Sequence, residues 1–477
     1  MHSKTLAQLI FCGIALLFLP HCASGGPQRY QSFFQAVELA RSADAQSAQE
    51  ALVSACSQSS SAACDAIGRD TKPADRVPIL QGATIDTYTE VVLLLDTKAT
   101  YQVFLWEKTA GKLIEAVETV PTDVPGGASR LVQLRYDGLS PVARYRLQVV
   151  GPAGELVDGR DLATLDTAKK RVHFAVASCM ESKHPLQAQM WTELLSQEPE
   201  LLFLIGDNVY ADSEAPGAVT PPEVLWRRHL ETRKELALFK APKLIPILSV
   251  WDDHDFGKND GDRTYPYRAE SKKIYQAFFG RSEYPGIFDR GPGVASRLSA
   301  FGQRFFLLDA RSFRSPVVDK KNQTHFGVDQ EAWLFTDLYS QVPSWLLSGD
   351  QFFGAYHTFE SFEGRHPESF RRFIRRLKVQ TSPAIFVSGD RHLAEMMEIP
   401  ADVLGYRSYE ITSSSIHAAV YPDAFKRTPN PRQVEGAAGV NNYVLIEAEA
   451  GTTLQATVRA YGPDRRRLFT RSFEVAR

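Results

Sequence analysis

Beyond residue 170 the chain keeps returning to one phrase, a short and almost wholly apolar run that stops abruptly on polar residues. It reads VHFAVAS (172–178), LLFLIGD (201–207), LIPILSV (244–250), RFFLLDA (304–310) and AIFVSGD (384–390). Runs of this length without apolar–polar alternation predict strands buried on both faces, as in a largely parallel sheet. Helix-period stretches lie between them. QAQMWTELLSQ (187–197) is amphipathic, and RRFIRRLK (371–378) continues a helical face of Phe370, Phe373, Ile374 and Leu377 that leaves its arginines on the wet side. NYVLIEAE (442–449) and LQATVRAY (454–461) read as further strands. The alternation predicts an α/β domain over 171–477.

Two other rhythms lie upstream. Residues 78–166 carry short alternating runs, EVVLLLDT, YQVFLWEK, RLVQLRYDGLSP and YRLQVVGP, with Gly and Pro between them, which predicts an all-β sandwich. Its LSPVARYRLQVV stretch (139–150) resembles the region around the conserved tyrosine of fibronectin type III domains, with Leu139, Pro141 and Tyr145 in place. Such a module is expected to act as a spacer or lid. Residues 25–77 are Ala-, Gln- and Ser-rich with helical periodicity, broken by SQSSSAA (57–63).

The first 24 residues read as a signal peptide. His2 and Lys4 lead into the apolar LAQLIFCGIALLFL (6–19), followed by the small residues of CASGG (22–26). The apolar run falls short of the ~20 residues a membrane-spanning helix needs. An exported chain is the expectation: periplasmic, secreted, or tethered by a lipid on Cys22, although LPHC departs from a lipobox at His21. Export favours oxidation, so Cys56 and Cys64 could pair, which leaves Cys179 without a partner in sequence. With 477 residues, a net charge of −2, 44% hydrophobic and 23% charged residues, this is the composition of an ordinary multidomain globular protein. It has no basic footprint, which argues against nucleic acid as a primary partner.

The polar residues that end the apolar runs carry the candidate chemistry. They are Ser178 and Cys179, GDNVYAD (206–212), WDDHD (251–255), DARSFR (309–314) and SGDRH (388–392). In open α/β sheets the functional crevice lies beyond the carboxyl ends of the strands, so five such ends should converge. Asp207, Asp253 and Asp390 offer hard oxygens, Tyr210 a phenolate and His392 an imidazole, a donor set suited to metal ions. A neighbouring cation would stabilise Cys179 as a thiolate and keep it out of a disulfide; the plainer role is a small buried hydrophobe. SVWDDHDFGKND (249–260) sets four carboxylates beside a buried strand, and burying carboxylates without partners costs several kcal/mol each. Metal ligation is the expected reason. Any one Asp after a strand is more often a turn or cap residue; five motifs together point to one site.

As an ordered set, ASC, LIGDNVYAD, WDDHDFGKND, LLDARSFR and SGDRH, with DQEAWL, ESFEG and YEITSSS, resemble the alkaline phosphatase D (PhoD-like) family of metallophosphoesterases over roughly residues 80–477. The resemblance implies a two-sheet αββα metallophosphoesterase domain behind a fibronectin III-like domain. It implies ferric iron with calcium ions, or other divalent metals in their place. By the same resemblance Asp207 bridges ions, Cys179 and Tyr210 lie on the iron side, and Asp253, Asp390 and His392 complete the ligands. His254 takes the general-acid position, and Asp252, Asp255, Asn259 and Asp260 either join the calcium shell or merely order the loop. The implied activity is hydrolysis of phosphomonoesters, phosphodiesters or both. A phospholipase-type diesterase is the nearest alternative, and a non-catalytic surface lipoprotein the alternative from another class.

Overall fold

The computed structural model describes residues 76–108, 112–152 and 156–477. The signal-peptide reading with Cys22, nearly all of the helical reading of 25–77, and the Cys56–Cys64 pairing lie outside the described residues. Among those described, no helix is long and apolar enough to cross a membrane.

Two mixed sheets form the α/β domain. One has six strands in the order Ile247–Val250, Leu201–Ile205, Arg171–Ala177, Tyr443–Ala450, Leu454–Tyr461 and Arg467–Val475. Its first three strands are parallel, and the C-terminal three join them antiparallel. The other has eight strands, whose centre is the parallel run Gln303–Leu307, Ser344–Leu347, Ala384–Ser388 and Ser408–Ser413. The unbroken apolar runs are parallel strands: Leu201–Ile205, Ile247–Val250 and Ala384–Ser388 are buried along their whole length, while Arg171–Ala177 and Gln303–Leu307 leave only Arg171, His173 and Arg304 partly outside. Ser344–Leu347 escaped the sequence reading because four residues make too weak a pattern.

The sheets meet through aromatic side chains. The Phe174 ring stands edge-on to Phe203 of its own sheet at 5.4 Å, and to Phe305 and Trp345 of the other at 5.4 and 5.3 Å. Ser413 Oγ donates across the gap to the Val176 carbonyl at 2.9 Å. Helices Gln187–Leu195 and Pro367–Lys378 add Met190, Trp191 and Leu194, and Phe370, Phe373 and Leu377, to the buried side chains.

The β-rich region ahead of this domain contains two four-stranded sheets. The chain divides into two compact units, and the boundary runs through that region. Ile79–Thr84, Tyr88–Asp96, Ser129–Asp137 and Glu118–Asp123 belong to the same unit as the α/β domain. Their attachment is polar and specific. Gln133 donates from Nε2 to the Gln276 carbonyl at 2.7 Å, and the buried Glu90 accepts from Ser282 Oγ at 2.8 Å. The other unit, with Ala99–Ile114 and Arg146–Gly159, carries most of the second sheet and buries Leu105, Trp106, Leu147 and Val149.

Phe174 touches both sheets, so its loss leaves a cavity that neither can close alone. Phe174→Ala should destabilise the protein by about 3–5 kcal/mol in denaturant unfolding, with the circular dichroism spectrum at low denaturant unchanged.

Candidate metal centre

Seven strand ends, two more than the sequence patterning suggested, turn inward at one edge of the paired sheets. Arg171–Ala177 leads to Cys179, Leu201–Ile205 to Asp207 and Tyr210, and Ile247–Val250 to Asp253 and His254. From the second sheet come Arg311 and Arg314, then Asp350, then Asp390 and His392, and finally Ser414. The turns are tight. Cys179, Asp207, Asp390 and His392 all hold φ between +50° and +60°, where side-chain-bearing residues are uncommon and which is often a mark of functional sites. Close approach also demands glycine. A Cβ on Gly206 would sit 2.5 Å from the Asp252 Cβ, and one on Gly389 2.8 Å from the Ile205 carbonyl oxygen.

The donors form three overlapping groups. Cys179, Asp207 and His392 make the first, Asp207, Asp253 and His254 the second, and Asp253, Asp260 and Glu360 the third; within each, one donor atom per residue lies within 4.8 Å of the others. Asp207 and Asp253 are each shared by two groups. Cys179 Sγ approaches Asp207 Oδ2 at 3.4 Å and Ser414 Oγ at 3.0 Å, and Tyr210 Oη lies 3.2 Å from His392 Nε2. Asp390 stands nearby without joining any of the groups. Glu360 was not singled out from sequence, although it opens the quoted ESFEG stretch.

Of the WDDHD carboxylates expected as metal ligands, only Asp253 enters the donor groups. Asp252 is bound by Arg311, whose Nε donates to its Oδ1 at 2.5 Å. Asp255 accepts the backbone N–H groups of Val209 and Asp252, both at 2.9 Å, and so ties two strand ends together. Asn259 donates locally, from its backbone to Asp212 and from Nδ2 to Asp260. Asp253 and Asp260 remain to face the donor groups. The physical reason is supply: Arg311 and Arg314 are fully buried and must be neutralised, so carboxylates are taken up pairing them. Arg311 also reaches Glu360 at 2.6 Å, while Arg314 holds Glu360 at 2.5 Å and Asp350 at 2.6 Å, and Asp350 contacts His325 at 3.2 Å.

Asp212 is another residue that sequence reasoning passed over, though it closes the quoted GDNVYAD motif. Buried, it meets His254 Nδ1 at 2.5 Å through one oxygen and accepts the Asn259 N–H at 2.8 Å through the other. The His254 ring also rests against Tyr210, with centroids 4.5 Å apart. Its orientation is thereby fixed on two sides.

The electrostatics show where positive charge is wanted. Burial, and then the charge of Cys179, push Asp207 and Tyr210 well above their ordinary values, and burial pushes the Cys179 thiol up to about 12. Burial and then the Asp253 charge raise Asp390 to about 7. Against burial, Arg311 and His254 hold Asp253 below the usual carboxylate range. Burial opposes a charge on His254, but Asp253, Asp207 and Asp212 outweigh it and lift the ring to about 11. Burial pulls His392 down to about 4, which leaves it a neutral donor. Asp207 Oδ1 is buried with no hydrogen-bond partner among the described residues. Hard and soft donors, orphaned lone pairs and acids forced toward their neutral forms together fit bound cations.

The model of the PhoD-like phosphatase family matches residues 174–450. The chain is 23% identical over 340 residues to the alkaline phosphatase D of Bacillus subtilis (strain 168), across 61% of this chain and 57% of that protein. It thus spans little more than half the length of that relative. A solved structure of PhoD superposes with a TM-score of 0.65 at 17% identity, covering 85% of this chain and 92% of that one, a likeness of fold.

The buried arginines give a test of their own. Against burial, Arg314 and His325 hold Asp350 well below its ordinary 3.8, so its contribution to stability is present above about pH 4 and lost as pH falls through the lowered value. Arg314→Met leaves that carboxylate buried without its guanidinium and should lose about 3–5 kcal/mol at pH 7. The deficit should shrink on acidification as Asp350 takes up a proton. Urea denaturation of both proteins at pH 7.5 and pH 5 measures it.

Proposed function

The chain belongs to the PhoD-like phosphatase family, and on that premise we propose that it is an exported, metal-dependent hydrolase of phosphoric ester bonds. The observation that carries the reading is the overlap of the donor groups, with Asp207 and Asp253 each common to two. Shared carboxylates of this kind set cations close together. By family resemblance, Asp207 would be shared between ions, Cys179 and Tyr210 would lie on the side of ferric iron, and Asp253, Asp390 and His392 would complete the ligands of the iron and of calcium or another divalent ion; His392 falls in one donor group with Cys179 and Asp207. Bound there, the ions would neutralise phosphate oxygens and lower the pKa of a water. The remaining chemistry belongs to the chain. Asp212, at 2.5 Å from Nδ1, orients the His254 ring and leaves Nε2 to give a proton to the departing oxygen. Phosphomonoesters and phosphodiesters both suit the arrangement. The apolar leader at 6–19 supports export. The Tyr145 hydroxyl accepts the Ser140 N–H at 2.8 Å, a tyrosine corner that supports the fibronectin III-like reading of the preceding β-region.

Asp207→Asn should fold, bind less metal by elemental analysis, and lose activity by more than the ~100-fold that outer-shell changes cause. Wild-type holoenzyme should show a visible charge-transfer band that Tyr210→Phe shifts. Normal turnover by a well-folded Asp207→Asn would refute the metal reading.

His254→Ala separates acid catalysis from scaffolding. A general acid contributes about 10²–10⁴-fold where the leaving group is poor, and little where a stable phenolate departs unaided. The variant should therefore lose that factor in kcat/KM on an alkyl phosphate and far less on a nitrophenyl ester, at unchanged metal content. Equal losses accompanied by lost metal would make His254 a scaffold residue.

A further inference from the structure

Arg391 stands apart from the other guanidinium groups around the centre. Arg311 and Arg314 lie between carboxylates, Arg365 pairs with Asp260 at 3.5 Å, and Arg432 pairs with Glu363 at 2.8 Å. Arg391 is only 8% exposed, yet among the described residues its side chain has no ion pair, and its buried Nε has no hydrogen-bond partner. What it has is a ring. The guanidinium lies over Phe359, 4.4 Å from the centroid. Phe359 itself is 54% exposed, an unusual position for a phenylalanine. With its Nε buried and unbonded and no carboxylate paired with the fork, the group is placed to take an anion.

The place in the fold says which anion. Arg391 sits between Asp390 and His392 on the left-handed turn of SGDRH, and its charge reaches both neighbours, drawing each carboxyl or imidazole down. Glu395 and Tyr356, the acidic groups behind it, hydrogen-bond to one another at 2.9 Å, and Glu395 also takes the Gln351 amide at 3.3 Å. Glu395 and Asp390 feel the Arg391 charge, yet among the described residues neither forms an ion pair with its guanidinium. A planar fork of N–H donors fits two oxygens of one phosphate, and a ring beneath holds the fork in plane while shedding its water. On the other side of the same turn the half-exposed Tyr421 stacks on His392 at 5.7 Å and 22°.

We infer that Arg391 binds the non-transferring phosphate oxygens of the substrate, with Phe359 as the positioning residue that holds its guanidinium. The assignment deepens the phosphoesterase reading and rests on it. It makes the phosphate group, rather than the alcohol part of the ester, the feature this side chain recognises. Monoesters, diesters and inorganic phosphate should therefore all depend on it.

The test uses inorganic phosphate on the metal-loaded protein, by calorimetric titration and as an inhibitor, together with KM and kcat on a nitrophenyl phosphate. Arg391→Met keeps a side chain of similar length against Phe359 and removes the charge. It should raise the phosphate Kd, the inhibition constant and KM together by about 10- to 100-fold, the range of a charged hydrogen bond, with Tm unchanged or higher. Phe359→Leu should raise the same constants by a few-fold, and Phe359→Tyr, which restores a ring, should bring them back. A packing role for Arg391 would instead lower Tm and leave the phosphate Kd alone. An active wild type whose Arg391→Met keeps the phosphate Kd and KM would overturn the inference. If Arg391→Met fails to fold, Arg391→Lys retains charge without the fork and should still weaken phosphate binding several-fold; unchanged binding overturns the inference there too. A wild type that hydrolyses no phosphate ester would sink the phosphoesterase reading, and the phosphate titration would then decide the role of Arg391 by itself.

Discussion

The structure is organised around negative charge that is buried at the joined edge of two sheets. Asp207, Asp252, Asp253, Asp255, Asp350 and Glu360 are each at most 5% exposed and lie at or near the ends of strands. Such a concentration is sustainable only if positive charge is built in with it. Arg311 and Arg314 answer part of the demand, entering from the strand end after Gln303–Leu307 and binding Asp252, Asp350 and Glu360. They stop short of Asp207, whose Oδ1 has no donor and whose carboxyl burial drives toward protonation. The protein thus neutralises the outer carboxylates with its own side chains and leaves the innermost ones for something else.

That division explains why the backbone is shaped as it is. Each sheet brings strand ends to the edge, and side chains must turn back sharply to face one another there. Left-handed turns at Cys179, Asp207, Asp390 and His392 achieve this, with Gly206 and Gly389 leaving room for the chain to cross itself. Backbone amides do the remaining fixing. Asp255 gathers the Val209 and Asp252 N–H groups, and Asp260 donates its N–H to Asp253 at 2.8 Å. The site is rigid because the groups that orient it are themselves buried and bonded, the condition under which donors hold their geometry before a substrate arrives.

Legibility in the sequence followed the strength of the local signal. The parallel strands announced themselves as unbroken apolar runs, and the residues after them as candidates, because position at a strand end is a local property. Asp212 and Glu360 were weaker. Each lies inside a quoted motif, but nothing local separates a carboxylate that turns toward His254 or Arg314 from one that caps a turn. Asp350 was hidden behind Ser344–Leu347, a strand of only four residues. Arg391 was visible as a letter of SGDRH, and its lack of a partner was not, since pairing is decided by residues far away in the chain.

The amino-acid sequence by itself determined the α/β class, the positions of most buried strands, and the kinds of atoms that meet beyond their ends. It could do so because burial on both faces imposes an apolar run, and because chemistry on such a sheet is confined to its carboxyl edge. Tertiary structure decided how the charge is shared out. Asp252 and Asp253 are adjacent and alike in sequence, yet one is hydrogen-bonded to Arg311 at 2.5 Å and the other, 3.8 Å from the same guanidinium, belongs to two donor groups. Arg311 is 59 residues from Asp252 and Asp212 is 42 from His254. Distances of that kind are set by how two sheets pack, and a charge takes its meaning from the nearest opposite charge in space.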